Sequence, residues 1–472
     1  MLRFWLIIPF LFSCSPALKT KVSRTIAQDT SVQRKEAHEN AVKEFNNLHF
    51  FADGRGMMIS PGLIDLYNQA GPLAKSILLE KRFGMNVVNS EVIGLFKTEW
   101  NGHNIGVLGC VACHSGKAAG QFIVGLGNKN IDVKQIGDLT LNVSKAWKIL
   151  NVGRVVLDDD YRGLTEDSIA FAKILSNENF SNLTQGLVPT GVIRTWFYRQ
   201  KNLPIPEDLP RAAVKVPHLW GYRVKRQVGS FTDGGGNGKL PGWAIAVELV
   251  ANQRPETIRS YLPKIDHAEE LLGSFLPPKY PFKIKLSEAQ QGKAVFENTC
   301  AKCHGTYQRD ESGLQVYEPP KFIPLEKVKT DSDRLSSLNG DFLELVRSNP
   351  LKDILVDDYK GEGYFAPRLE GIWARFPYLH NASVPTIMDL LSPAKERPKK
   401  FSLADAGEKH RFDSTHMGLK LTLRERTGID RLRKLRTIYD TSLSGQSNQG
   451  HEFYTDLSRK EKLLLIEYLK TL

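Results

Sequence analysis

Two copies of one pentapeptide constrain this chain more than any other feature of its sequence. They are Cys110-Val-Ala-Cys113-His114 and Cys300-Ala-Lys-Cys303-His304, and together they use four of the five cysteines. Cys-x-x-Cys-His is the attachment pattern of c-type haem: each thiol bonds a vinyl group, and the adjacent imidazole is placed to bind the iron. The sequence therefore predicts two covalently bound haem c groups. The residues expected to attach the rings and bind the irons are Cys110, Cys113, His114, Cys300, Cys303 and His304.

Other uses of these cysteines fit the pattern less well. A Cys-x-x-Cys redox pair does not need the histidine that follows both copies here. Four thiols could bind one zinc ion, but the two pairs lie far apart in the chain. Each pair also carries a histidine that an all-thiolate zinc site does not use.

The N-terminus indicates export. A single early positive charge at Arg3 precedes an apolar run that ends at Phe12, and Cys14 follows. This pattern is typical of a signal peptide and is too short to span a bilayer. Leu11-Phe12-Ser13-Cys14 is similar to a bacterial lipobox, although Phe12 is bulkier than the usual residue. We therefore expect lipidation at Cys14 and an exported lipoprotein, periplasmic or attached to the outer membrane; an ordinary signal peptide is the alternative.

Composition agrees with a folded protein behind that leader. Hydrophobic residues make up 41% of the chain and charged residues 25%, which are ordinary globular values. The net charge of +12 would be partly balanced by haem propionates. The remaining charge would favour an anionic membrane surface or an acidic redox protein. A nucleic-acid partner is not expected for an exported protein.

The pattern of the chain predicts a mainly α fold with two cytochrome-c-like haem domains and long ordered loops, because strand-like alternation is scarce. A proline-rich break at 276–281 provides the best domain boundary. The expected organisation is a signal peptide over 1–14, a flexible tether over 15–45, an N-terminal haem domain over 46–275 and a C-terminal cytochrome c domain over 286–472.

Two helices are expected to bracket the second haem motif. Ser287 with Gln290 and Ser458 with Glu461 have the spacing of capping boxes, in which side chains satisfy the first free N–H groups of a helix. Apolar and small residues then recur at helical spacing after each box. In the first helix they are Ala289, Gly292, Val295 and Phe296, and in the second they are Leu463, Leu464, Ile466, Leu469 and Leu472.

The sixth ligand of each iron decides its chemistry, because a histidine or methionine favours electron transfer whereas an open position admits O2 or peroxide. The chain has only six methionines, and few candidates lie near the first motif. His103 is too close to His114 in sequence to reach the opposite face of a ring. His218 could bind iron, but a loop histidine bonded to backbone or propionate is commoner. The iron of the first haem is therefore expected to be five-coordinate, or to have only a weak or exogenous sixth ligand.

The second motif has more candidates, and spacing alone does not choose among them. The candidates after His304 are His380, His410, His416, His451, Met388 and Met417. His380 and His451 lie in the most plausible segments, whereas His410 and His416 are expected to be solvated loop residues. His451 comes directly after a flexible polar loop and shortly before the final helix.

Several segments resemble the dihaem cytochrome c peroxidase superfamily, and in particular its rubber-oxygenase (RoxA-like) branch. They are the two haem motifs, Pro377-Tyr-Leu-His-Asn-Ala-Ser-Val384, and Gly450-His-Glu-Phe453 before the terminal helix. The resemblance is strong over about 287–472 and weaker over about 100–250. It implies a catalytic N-terminal haem and a C-terminal haem that transfers electrons.

The resemblance also implies roles for individual residues. The peroxidase branch places a methionine ligand where this chain has Ala394, so that pattern fails here. The rubber-oxygenase branch uses a histidine near the C-terminus, which implies His451 rather than His380 or Met388. It also carries a tryptophan and a phenylalanine on the distal side of the first haem, which implies Trp220 and, if a short deletion is allowed, Phe231 as catalytic residues.

Two arginines of the same region, Arg368 and Arg375, could pair with haem propionates or form ordinary salt bridges. Taken together, the residues predict a dihaem redox enzyme with oxygenase- or peroxidase-type chemistry. Its partners would be O2 or peroxide, small electron-donor or electron-acceptor proteins, and a membrane reached through the N-terminal lipid. The alternatives are a non-catalytic electron carrier with both irons six-coordinate, and a haem sensor. The organic substrate has no recognisable pattern in the sequence.

Overall fold

The computed structural model describes residues 31–48, 58–59, 64, 67–75, 79–176, 183–191, 194–195, 198, 201–207, 209–222, 255–309, 315–316, 321–337, 344, 347–354, 362–422 and 436–472. Cys14, which is expected to be lipidated, lies outside these residues, and so does Phe231, which is expected beside the first haem. Within the described residues, no helix is both long and apolar enough to cross a bilayer.

Helices of very different lengths are distributed along the whole described chain. They are α1 (Ser31–Phe45), α2 (Pro72–Lys75), α3 (Val133–Leu150), α4 (Val152–Leu157), α5 (Asp159–Leu175), α6 (Pro255–Ser260), α7 (Leu262–Gly273), α8 (Leu286–Asn298), α9 (Ala301–His304), α10 (Leu325–Val328), α11 (Asp333–Ser336), α12 (Ile387–Leu390) and α13 (Arg459–Leu469). Helix α1 lies in the segment expected to be a tether, and its Ala41 and Phe45 are buried in the main core.

The expectation of a mainly α fold is wrong. Helix accounts for 42% of the structure, but strand accounts for a further 14% in several small sheets, so the fold is mixed α/β. The strands are β1 (Met58–Ile59), β2 (Val87–Val88), β3 (Glu91–Val92), β4 (Leu95–Trp100), β5 (His103–Leu108), β6 (Ser115–Ala118), β7 (Gln121–Val124), β8 (Leu187–Pro189), β9 (Ala213–Lys215), β10 (Gln308–Arg309), β11 (Gln315–Val316), β12 (Phe322–Pro324), β13 (Gly363–Phe365), β14 (Lys400–Ser402), β15 (Phe412–Asp413), β16 (Gly418–Leu419) and β17 (Ile438–Asp440).

All of the described strand pairs are antiparallel, and strands β1, β5 and β4 form the three-stranded sheet in that order. Three two-residue turns close the hairpins β2–β3, β4–β5 and β6–β7. Both residues of each turn have positive φ, as in Asn101 (46°) and Gly102 (78°) between β4 and β5. Positive φ at both central positions matches the right-handed twist of the flanking strands. Asn101-Gly102 is a strong hairpin signal, so this hairpin was recognisable from the sequence.

The first haem motif lies between two of these hairpins rather than at the end of a long helix. Strand β5 runs into a 3-10 turn at Cys110–Ala112, and β6 begins directly after His114. The second motif instead follows helix α8 and occupies the short helix α9. The two motifs are therefore held by different local structures.

Helices α8 and α13 cross at very close range. A Cβ atom built on Gly292 of α8 would lie 1.9 Å from the carbonyl oxygen of Leu464 in α13. Beside this contact, Phe296 packs against Tyr468 with ring centres 5.1 Å apart. The apolar spacing predicted these two helices as partners. Because only glycine lacks a Cβ, Gly292 allows the two backbones to approach this closely.

The helix starts differ in how well the sequence predicted them. The box of Ser458 and Glu461 is present at the start of α13. The box expected at Ser287 is not formed, because α8 begins at Leu286 and its N-cap, Lys285, makes no capping side-chain bond.

We predict that Gly292→Ala will destabilise the protein by about 1–3 kcal/mol, because the new methyl group collides with the backbone of α13. The matched control is Gly163→Ala in α5, where an added Cβ has no atom within 4 Å. That control should be neutral or stabilising by about 0.5–1 kcal/mol, since alanine is the better helix former. Urea unfolding of both variants measures the difference, and equal effects would show that the close crossing is unimportant.

Candidate haem-binding site

The two motifs share one backbone pattern despite their different surroundings. In the first, the N–H groups of Cys113 and His114 donate to the carbonyl of Cys110, at 3.2 and 2.9 Å. In the second, Cys303 and His304 donate to the carbonyl of Cys300, at 3.1 and 2.9 Å. This tight turn brings both thiols and the imidazole of each motif close together.

Burial within the first motif separates anchoring residues from reactive ones. Val111 and Ala112 are buried in the core, whereas Cys110, Cys113 and His114 keep part of their surface exposed. The two inner residues therefore fix the turn to the protein. The thiols and the imidazole remain available for a ligand.

Two of the four motif thiols lack the character of redox-reactive cysteines. The four motif cysteines are thiols and form no disulfide. Burial raises the pKa of Cys113 to about 11 and also raises the pKa of Cys300. Reactive redox cysteines have lowered pKa values, so these thiols do not have that character. Among the described residues, no three His, Cys, Asp or Glu side chains are placed to hold a metal ion.

Each motif histidine is oriented by a proline carbonyl. His114 Nδ1 lies 3.0 Å from the oxygen of Pro217, and His304 Nδ1 lies 2.8 Å from the oxygen of Pro367. A carbonyl oxygen can only accept, so Nδ1 carries the proton in both rings. The lone pair is then on Nε2, the atom that would bind iron. Such an outer hydrogen bond fixes both the tautomer and the direction of a metal-binding imidazole.

The two proline segments are similar in sequence and are bonded to each other. They are Pro217-His-Leu-Trp-Gly221 and Pro367-Arg-Leu-Glu-Gly371, and both glycines have positive φ, at 74° and 62°. The indole N–H of Trp220 donates to the carbonyl of Glu370 at 2.8 Å. A Cβ on Gly371 would lie 3.1 Å from that indole ring. The repeated Pro-x-Leu-x-Gly pattern was visible in the sequence, but its role is clear only from the structure.

Trp220 therefore lies between the supports of the two motif histidines. Its side chain is 2% exposed and belongs to the main hydrophobic core. The placement of Trp220 on the distal side of the first haem stays a prediction.

The structure brings His451 next to His304. Their ring centres are 6.2 Å apart, and the rings are inclined by 46°. A ring nitrogen is about 1.1 Å from the centre of a ring with ~1.33 Å bonds, and metal–imidazole bonds are about 2 Å long. Two imidazoles on opposite sides of one metal would therefore have centres about 6 Å apart. The spacing of this pair fits a shared iron.

The protonation state of the pair also fits metal binding. Burial lowers the pKa of His451 to about 4, and the nearby His304 contributes to the same shift. Burial lowers the pKa of His304 as well, against the opposing effect of the bond to Pro367. Both rings are therefore neutral near pH 7 and can offer a lone pair. Within the described part of the chain, His451 Nδ1 is buried without a hydrogen-bond partner.

The other candidates for the second iron lie elsewhere. The ring of His380 stacks on Tyr364, with centres 5.4 Å apart and an angle of 22°. Met388 lies in α12 and packs against the main core. Ala394, at the position of the methionine ligand in the peroxidases, is buried, and its N–H donates to Glu452 Oε1 at 2.8 Å.

A buried arginine holds the loop that carries His451. Arg397 is 2% exposed, and among the described residues its hydrogen bonds go only to backbone carbonyls. Its Nη1 donates to Asn448 and Gly450 at 2.6 and 2.8 Å. Its other nitrogens bond to carbonyls of Asp389, Leu390 and Ser392. No sequence pattern indicated this role of Arg397.

Three further hydrogen bonds hold the loop. The side-chain amide of Asn381 donates to the carbonyls of Gly445 and Ser447, at 3.2 and 2.9 Å. His451 has a φ of 51°, and its N–H donates to the carbonyl of Val328 at 2.6 Å.

The residues considered for the sixth position of the first iron have other neighbours. The buried His103 bonds through Nε2 to Asp158 at 3.0 Å. His218 packs against Trp220 with ring centres 4.7 Å apart, and it directly follows Pro217 on the side that supports His114. Two methionines that were not candidates for the first iron, Met85 and Met417, are buried in hydrophobic clusters.

Arg368 and Arg375 also differ from each other. Arg368 Nε donates to Glu370 Oε2 at 2.8 Å, so this side chain forms the ordinary salt bridge. Arg375 Nη1 donates to the carbonyl of Arg368 at 2.6 Å.

We predict that His451 makes the fold of the haem-free protein less stable in acid. The pKa of His451 in the folded protein is about 4, below the ordinary value of 6.5. The free energy of unfolding that depends on a neutral His451 ring is therefore fully present above pH 6.5 and is lost as the pH falls towards 4. The loss at pH 4.5 should be about 2–3 kcal/mol. Urea unfolding at pH 7 and pH 4.5 should show a smaller pH effect for His451→Phe than for the parent protein. The control is His410→Gln at an exposed site, and an unchanged pH effect in His451→Phe would contradict the prediction.

Comparison with known proteins agrees with this geometry. A family model described as RoxA-like, cytochrome c-like matches residues 363–402, which include Pro367, Asn381 and Arg397. The chain is 28% identical over 315 residues to the uncharacterized protein y4iM of Sinorhizobium fredii, covering 57% of this chain and 67% of that protein. It is 43% identical over 118 residues to the uncharacterized protein y4iJ of the same organism, covering 23% of this chain and 18% of that protein. Residues 363–402 are thus similar to a RoxA-like, cytochrome c-like domain, and such a domain implies covalently bound haem c.

Proposed function

We propose that this protein is a dihaem c-type cytochrome that acts as a redox enzyme. In this proposal His304 and His451 would together hold one haem iron, and His114 would hold the other. The observation that carries the proposal is the 6.2 Å spacing of the His304 and His451 rings. Haem bound at each motif would supply one-electron chemistry and, at an open position, a site for O2 or peroxide.

The difference between the two sites follows from where the chain places its possible ligands. His103 is engaged by Asp158, and His218 lies on the side of the His114 support. Met85 packs with Phe83 in a small apolar cluster. The second site, by contrast, has His451 fixed beside His304. This asymmetry is what a catalytic site paired with an electron-transfer site requires.

We infer that Trp220 provides the electronic connection between the two sites. Its indole N–H reaches Glu370, three residues after the carbonyl that orients His304. Trp220 also lies three residues after Pro217, whose carbonyl oxygen orients His114. We propose that this buried aromatic ring carries electronic coupling between the two haems.

The ligation of the two irons tests the proposed enzyme. We expect the purified protein to carry two haem masses and to bind carbon monoxide at one haem after reduction, because we propose two histidine ligands for the second iron and one for the first. Electron paramagnetic resonance should show one low-spin and one high-spin ferric centre. His451→Ala should convert the low-spin centre to high spin, whereas His410→Ala, at an exposed histidine, should not.

Each alternative has its own outcome in these measurements. If neither haem binds carbon monoxide and both are low-spin, the protein is an electron carrier rather than an open-site enzyme. If His451→Ala stays low-spin, the second iron has another ligand, such as His380 or Met388.

We further propose that Cys14 attaches the exported protein to a membrane through a lipid. Cys14→Ser should move the protein from the membrane fraction to the soluble periplasmic fraction, because a serine cannot carry the thioether-linked lipid. The control Ser13→Ala should remain with membranes, since a small residue is retained before the cysteine. Fractionation followed by immunoblotting measures the distribution, and a membrane-bound Cys14→Ser protein would contradict the proposal.

A further inference from the structure

Three cationic residues line one cavity of the protein. They are Lys129, Lys215 and Arg375, and the described lining of this cavity contains no aspartate or glutamate. A buried cation is costly unless an anion or several hydrogen bonds compensate it. Three cations around one cavity therefore point to an anionic ligand.

Within the described residues, the two lysines hydrogen-bond only to backbone carbonyls. Lys129 Nζ donates to the carbonyl of Lys117 at 3.0 Å. Lys215 Nζ donates to the carbonyls of Arg375 and Pro377, both at 2.7 Å. An ammonium group has three donors, so each lysine can donate a further hydrogen bond.

Arg375 likewise has donors to spare. Its Nη1 donates to the carbonyl of Arg368 at 2.6 Å, and its Nε is buried without a hydrogen-bond partner among the described residues. A guanidinium group has five N–H donors in a planar fork that matches the two oxygens of a carboxylate.

Electrostatics agrees with this geometry. Burial lowers the pKa of Lys129 to about 7 and that of Arg375 to about 10. Burial lowers the pKa of Lys215 well below its ordinary value, and the charges of Arg375 and Lys129 add to the effect. In the part of the chain that the structure describes, no carboxylate opposes these shifts. An anion among the three groups would reverse them.

The cavity lies between the supports of the two motif histidines. Its lining includes Val216 and His218, which flank Pro217, the residue that accepts the hydrogen bond from His114. On its other side, Arg375 bonds to Arg368, which directly follows the acceptor for His304. An anion held here would be close to both motifs.

We propose that Lys129, Lys215 and Arg375 form a carboxylate-binding site, and that haem propionates occupy it. This inference rests on the proposed attachment of haem at both motifs. A propionate is tethered to a covalently bound ring, so it would reach the cavity without the loss of translational entropy that a free anion incurs. A free carboxylate from solution is the other source of the same chemistry, and the experiment distinguishes the two.

The test uses the haem-loaded protein and the variants Lys129→Met and Lys215→Met. Redox titration followed by absorbance measures the midpoint potential of each haem. Loss of a nearby positive charge favours the more positive ferric state. The ratio of oxidised to reduced haem at a fixed solution potential should therefore rise about tenfold, which is ~59 mV for one electron. The control is Lys293→Met on α8, whose side chain is 36% exposed and pairs with Glu297.

The outcomes separate this inference from the proposed function. Haem content, measured by mass on the same samples, reports on attachment alone. Two bound haems with unchanged potentials in Lys129→Met would overturn the propionate site while leaving the dihaem proposal intact; this variant decides the question if Lys215→Met does not accumulate. Added acetate should not shift the potentials of the parent protein. A saturable shift with acetate would show that the site takes a free carboxylate, which overturns its assignment to propionates.

Discussion

The hydrogen bond from a motif imidazole to a proline carbonyl is the interaction on which the rest of this structure depends. It occurs twice, from His114 to Pro217 and from His304 to Pro367, and it leaves Nε2 of each ring with the lone pair that would bind iron. The thiols alone would fix a ring to the chain without fixing the direction of its axial ligand. The bond from Trp220 to Glu370 joins the two proline segments, so the supports of the two imidazoles are in direct contact.

The imidazole of His451, beside His304, is positioned by a loop, so the whole loop must be held in one conformation. A loop loses conformational entropy when it holds one geometry, of the order of 1–2 kcal/mol for each ordered residue. Arg397 offsets this cost with charged hydrogen bonds to carbonyls of the loop, at Asn448 and Gly450, and of α12, at Asp389. Each such bond is worth about 1.5–3 kcal/mol. Asn381 adds two more from the segment that resembles the RoxA-like proteins. That segment therefore holds the loop, while the ligand candidate itself lies much further along the chain.

The sequence predicted local patterns well and long-range ones poorly. The apolar faces of α8 and α13 and the box at Ser458 depend on spacing within a few residues, which the sequence displays directly. The small sheets escaped notice because most of their strands have two or three residues, too few to show alternation. The hairpin at Asn101-Gly102 is the exception, since its turn type depends on those two residues alone. Contacts such as that of Trp220 with Glu370 join distant segments, and the sequence of one segment does not indicate which other segment it will contact.

The same distinction applies to charge. The sequence does not show whether an arginine or lysine will bind a carboxylate, a backbone carbonyl or a ligand. Arg368 pairs with Glu370 two positions away, which is a local and predictable contact. Arg375 instead meets Lys215 and Lys129 from distant strands and loops, so that three like charges share one interior space. Folding the polypeptide alone brings these charges together at a cost, and an anion arriving with the ring would remove it. Haem attachment and completion of the core would then be coupled, because the ligand neutralises the charges that the fold has gathered.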